Sequence, residues 1–180
     1  PTDATTKYSV GDKIKLVQTT TKYFYITAVS ATTLTINGGT DYTLANAAIS
    51  GIYYSKSATP LGFPLWFNYT PSWTNLTIGN ATVTAKFSMN GKTIDYRIDT
   101  TWGSTTSASG NFTYSLPVTS ASTYVIRKSI GSALLFDTSG GTTNQSITRW
   151  ASTTTGDIVY LSSSVQTATS STAPWTWATG

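Results

Sequence analysis

Seven aspartates (Asp3, Asp12, Asp41, Asp95, Asp99, Asp137 and Asp157) are the only acids in this sequence, which contains no glutamate, histidine or cysteine. The chain therefore lacks the commonest general base, the thiolate nucleophile and the usual ligands of zinc, copper and haem. Paired carboxylates remain, and the closest pair along the chain is Asp95 and Asp99. On a strand, residues four apart share a face but lie about 13 Å from each other, at about 3.3 Å per residue. Glycosidase carboxyls sit about 5–5.5 Å apart for retention and about 6.5–9.5 Å apart for inversion. The pair thus reads as an exposed charge ladder with Arg97 between its members, and no catalytic residue is assigned. Loop aspartates with backbone carbonyls can hold calcium, but no D-x-D-x-D-G cluster occurs, so no metal and no cofactor is expected.

Recognition then falls to the aromatic residues, 13% of the chain. They are densest in GFPLWFNYTPSWTN, residues 62–75. In an extended chain the odd-numbered Phe67, Tyr69, Pro71 and Trp73 turn to one face, while Trp66, Asn68, Thr70 and Ser72 turn to the other. The strip therefore reads as an inward-facing first strand, edge-placed or bulged to accommodate Pro71. Trp73 is expected to be buried, and Trp66, with Phe63 beside the linker, to make a subunit or domain contact. Trp102 and Trp150 border polar loops and complete the set of candidate contacts. An exposed ring can stack on a sugar, whereas a half-covered one lines a core or an interface. Five N-x-S/T sequons (Asn68, Asn75, Asn80, Asn111, Asn144) are chance matches in a chain holding 38 threonines and 23 serines.

Net charge is +4, but the basic residues are scattered, with Lys13/Lys15 and Arg127/Lys128 the only close pairs. No basic stripe forms, so no nucleic-acid partner is expected. No run approaches 18 apolar residues, so no membrane insertion is expected. The chain opens on proline and stops just after a strand-like stretch, which reads as a piece of a longer protein.

The elements that must carry these residues are strands. Threonine and aromatic side chains suit a pleated, half-buried surface, and helix-forming faces are missing. The sharpest element is ATVTAKFSMNGKTIDYRIDTTW, residues 81–102. Val83, Ala85, Phe87 and Met89 alternate with polar residues, and Ile94, Tyr96 and Ile98 do the same beyond Asn90-Gly91. That dipeptide predicts a type I′ hairpin with Phe87 opposite Ile94. Earlier, KYFYITAV is apolar on both faces and predicts a central strand, while YTLANAAI predicts one helical turn. Residues 1–58 read as a small β-barrel-like module, 59–65 as a linker, and 66–180 as an antiparallel jelly-roll or β-sandwich domain. The stretches 103–110 and 162–172 read as exposed polar loops, and strands are expected at 123–130, 133–137, 145–151, 157–162 and 174–178.

Taken together, GDKIKLVQTTTKYFYITAVS, YTLANAAI and YYSKSATPLGFPLWFNYTPSW resemble a family of bacteriophage and prophage virion-surface proteins (tail, tail-fibre or minor structural proteins). In that family a small N-terminal β module and a GFP-WFNYTP-W junction precede a jelly-roll head. The resemblance covers residues 8–75 and implies a non-enzymatic virion part exposed outside the cell. It also implies a homotrimer that attaches to other virion proteins at one end and meets the outside, including host surface glycans, at the other. It transfers no catalytic or receptor-contact residue. The alternative is a carbohydrate-binding module or adhesin domain of a secreted bacterial protein, which requires an exposed row of Trp and Tyr. A hydrolase using aspartates ranks third.

Overall fold

A computed structural model describes residues 3–123, 127–162 and 164–177. The fold is all-β, built from antiparallel sheets, as the composition predicts. Its strands are β1 (Lys13–Gln18), β2 (Thr20–Val29), β3 (Leu34–Asn37), β4 (Ser50–Ser55), β5 (Phe67–Asn68), β6 (Trp73–Thr77) and β7 (Thr82–Asn90). They continue with β8 (Thr93–Thr101), β9 (Ser107–Ser115), β10 (Ser129–Asp137), β11 (Thr142–Trp150), β12 (Thr155–Ser162) and β13 (Val165–Ala168). The chain divides into two compact units, Pro1–Thr70 with Thr84–Ile98, and Pro71–Val83 with Asp99–Gly180. The stretch 59–65, read as a linker, lies within the first unit, and the inner ends of β7 and β8 belong to that unit too.

In the first unit the sheet order is β3-β2-β1-β4. β2 is central, as its two apolar faces require. On one face Phe24 and Ile26 join Ile14 and Leu16 of β1 in a core ringed by Tyr8, Val29, Leu34, Ile36 and Tyr42. On the other, Tyr25 meets Phe63, Phe67 and Phe87 at 5.0–6.1 Å between ring centroids. Those later aromatics cover the face that a closed barrel would have wrapped in its own strands. The expected barrel-like module is accordingly an open sheet whose end strands β3 and β4 each pair with one neighbour. The expected helical turn at 42–49 is also absent. The Gln18 side chain holds that segment instead, its Nε2 donating to Ala45 O (2.9 Å) and Ala47 O (3.0 Å) and its Oε1 accepting from Ala45 N (2.9 Å).

β7 and β8 form the expected hairpin, joined with β5 in a three-stranded sheet. Ala85, Phe87 and Met89 are buried, and Ile94, Tyr96 and Ile98 are half-buried, as the alternation predicts. The turn differs. Strand β7 runs through Asn90 and β8 starts at Thr93, so the connection is Gly91-Lys92, one position later than expected. Gly91 has φ +55°, and glycine at the first central position is the signature of a type II′ rather than a type I′ turn. A one-position move of the turn shifts cross-strand partners by two and keeps parity, so every residue retains its face.

The second unit carries a six-stranded sheet, β10-β11-β12-β9-β6, with β13 also paired to β12. Two stretches read as loops are partly strand. Residues 107–110 belong to β9, with Ala108 opposite Leu76 and Ser107 opposite Thr77 of β6. Within 162–172, β13 pairs with β12, and Thr169 is fully buried. The expected strand 123–130 falls partly outside the described residues. Residues 174–177 are not strand, and position 178 lies outside the description.

Candidate interaction surface

The aromatic strip keeps its predicted parity but not its continuity. Phe67 and Pro71 are buried, Tyr69 and Trp73 half-buried, and Asn68, Thr70 and Ser72 exposed. Pro71, with no N–H to donate, lies in the gap between β5 and β6. Trp73 packs against Phe112 and Tyr114 at 6.3 and 5.8 Å. It is half-buried rather than fully buried, and its enclosed indole N–H has no hydrogen-bond partner among the described residues.

Two of the four candidate contacts fall in the first unit and two in the second. In the first unit, Phe63 packs edge-on to Tyr23 and Tyr25 and tilts against Phe67. Trp66 is half-buried, with the Arg97 guanidinium 4.9 Å and the Lys86 ammonium 6.0 Å from its ring centroid. In the second unit, Trp102 stacks on Trp177 at 4.5 Å and 24°. Trp150 ends β11 opposite Gly156, its main chain bonded to Arg127 and Lys128. All six tryptophans are half-buried, so none stands free as a stacking platform.

Five of the seven aspartates have local structural partners. Asp3 Oδ1 accepts from the Thr5 N–H and hydroxyl (2.9 and 2.8 Å), which holds its carboxyl below the usual range. Asp12 accepts from Ser9 N, and Asp41 accepts from the main chain and side chain of Asn68. Asp137 Oδ1 accepts from the Ser139 hydroxyl (2.8 Å) and the Ser139 and Gly140 N–H groups, which together lower its pKa. Asp157 takes a bidentate ion pair from Arg149, with Nη2 at 2.8 Å and Nε at 2.9 Å. Asp95 and Asp99 remain exposed on β8. Among the described residues no group of three or more Asp, Glu, His or Cys gathers in metal-binding range.

The surface that stands out is one that no single residue announces. The registers of β10, β11 and β12 align Ser132, Ile147 and Val159 across one face of the sheet, with Leu134 beside Gln145 in the next row. Alternation places Phe136 and Leu161 on the same face. Val159 is buried, but Leu134, Leu161 and Phe136 are 66%, 65% and 55% exposed. Leu134, Ile147, Val159 and Leu161 line an open concavity together with Gln145 and Gln166. The Arg149–Asp157 pair lies on the same face, one row beyond Ile147 and Val159. In the first unit, β4 exposes Ile52 (62%) and Tyr53 (64%). The cue in the sequence is ALLF, residues 133–136, apolar on both faces; it cannot say which face the chain itself covers.

Comparison with family models, with curated proteins and with solved structures finds no match to this chain.

Proposed function

We propose that this chain is a non-enzymatic structural and interaction protein of the surface of a bacteriophage-like virion, in a tail-fibre, receptor-binding or head-decoration role, acting by self-assembly and adsorption. The observation that carries the reading is the uncovered apolar face of β10–β12, on which Leu134, Phe136 and Leu161 cluster. A lone exposed leucine needs no explanation. A cluster is different: each such side chain contributes up to about 1.5–3 kcal/mol when buried. Several together begin to offset an association cost of roughly 4–15 kcal/mol. The structural engagement of five aspartates and the GFP-WFNYTP-W junction support the same reading. Repeated copies on one particle would turn weak contacts with host glycans into avid adsorption. The carbohydrate-module alternative calls for an exposed row of Trp and Tyr; the six tryptophans are half-buried, and the exposed Tyr53 and Tyr54, adjacent on β4, face opposite sides. The test is mass spectrometry of phage-like particles purified from the organism that encodes the chain. Several copies per particle are expected, and a chain found only in the particle-free secreted fraction overturns the proposal.

A further inference from the structure

Among the described residues the sheets end in several free edges, and all but one are short, broken or charged. β3 and β13 have four residues each and β5 has two. β4 slips register against β1, with Gly51 at φ +54°, and β6 slips against β9, with Asn75 at φ +59°. β8 is nine residues long but carries Asp95, Arg97 and Asp99. Bulges and charges of this kind are how natural sheets keep their edges from pairing with other chains. β10 is the exception. Among the described residues it pairs only with β11, and from Ser129 to Phe136 it holds neither charge nor proline. Its ladder slips once, between Ser129 and Gly131, and Gly131–Asp137 then run in regular register against Thr148–Thr142. Seven residues in regular register are thus left, among the described residues, with their outer N–H and C=O groups unpaired by another strand, next to the uncovered face bearing Leu134 and Phe136.

We infer that the β10 edge is a self-association surface, pairing antiparallel with β10 of a second copy. The midpoint of the regular stretch is Leu134, so the two-fold axis passes there and Leu134 of one copy lies opposite Leu134 of the other. The ends of the strand are complementary in charge. Arg127 and Lys128 precede it and Asp137 closes it; with the axis at Leu134, Asp137 of each copy stands opposite Gly131 of its mate, three residues (about 10 Å) from Lys128. A two-fold pair keeps equivalent faces on one side of the joined sheet, so the exposed Leu134 and Phe136 of both copies form one continuous apolar band. The contact multiplies by two whatever stoichiometry the chain's other surfaces set. The inference rests on the assembly reading above and adds its location and symmetry.

The test exploits the absence of cysteine from the chain. Residues directly opposite in an antiparallel pair lie about 4.5–5.5 Å apart at Cα, within the roughly 4.4–6.8 Å that a disulfide spans. Under mild oxidation Leu134→Cys should give a covalent dimer, while Thr153→Cys, at an exposed position outside β10, should not. Leu134→Lys sets two ammonium groups at the axis and should weaken self-association at least about tenfold, with an unchanged circular dichroism spectrum. An oligomer in which Leu134→Cys stays uncrosslinked, or crosslinks no better than Thr153→Cys, overturns the pairing and leaves the assembly reading standing. A wild-type chain that is monomeric at every concentration overturns both.

Discussion

The guanidinium of Arg97 lies 4.9 Å from the centroid of the Trp66 indole, with the Lys86 ammonium 6.0 Å from the same centroid. Trp66, which the sequence offers as a subunit or domain contact, is thus also engaged by cations of its own chain. An exposed cation–π contact contributes about 0.5–1 kcal/mol. Arg97→Gln should lower the unfolding free energy by about that amount, while the same change in a Trp66→Leu background should cost almost nothing. Urea denaturation of the four proteins measures the coupling.

Phe67 is wholly buried, with Tyr25, Tyr42, Phe63 and Phe87 around it at 5.0–5.9 Å between centroids. Phe67→Ala leaves a ring-sized hole among large, stiff neighbours and should cost about 3–5 kcal/mol. Phe136→Ala, on the uncovered face, should change monomer stability by less than about 0.5 kcal/mol. Paired denaturation curves, run where the protein is monomeric, separate the two.

The two glycines that meet in the first unit should respond differently. Gly91 has φ +55° and open space where a Cβ would go. Gly91→Ala should therefore cost about 1 kcal/mol from backbone conformation alone. Gly11 has φ +94°, and a Cβ there would stand 2.0 Å from Gly91 O. Gly11→Ala adds a collision between two main chains and should destabilise clearly more, with chemical-shift changes reaching the 91–92 turn.

Much of the architecture is legible from alternation. β7 and β8 show their inner faces because one side of each strand is polar, and β2 shows that it is central because neither side is. What escapes is set by distant partners. Ala45 and Ala47 favour a helix locally, but Gln18, 27 and 29 residues earlier, takes their main-chain groups. Ser107–Gly110 has the composition of a loop and becomes strand because β6 lies alongside it. The turn misses by one residue because Gly91 takes the positive φ and Asn90 stays in the ladder. The four candidate aromatics are half-buried, and sequence could not say that they fall in different units.

Asp137 offers a test by acid titration. Its carboxylate accepts from the Ser139 hydroxyl and from two N–H groups, so its folded pKa lies below the ordinary aspartate value. A depressed carboxyl contributes stability that is present above the unfolded pKa and lost as pH falls through the folded one. Carboxyl carbon shifts followed by NMR should give Asp137 a midpoint below the ordinary aspartate value, and Ser139→Ala should raise it.

The proposed function turns on whether copies of this chain join one another. The most direct measurement is light scattering coupled to size exclusion at tens of micromolar protein. A mass that is a multiple of the 19.2 kDa chain, falling when Leu134 is replaced by lysine, is the predicted result. A single species of 19.2 kDa at every concentration, unchanged by that substitution, would contradict it.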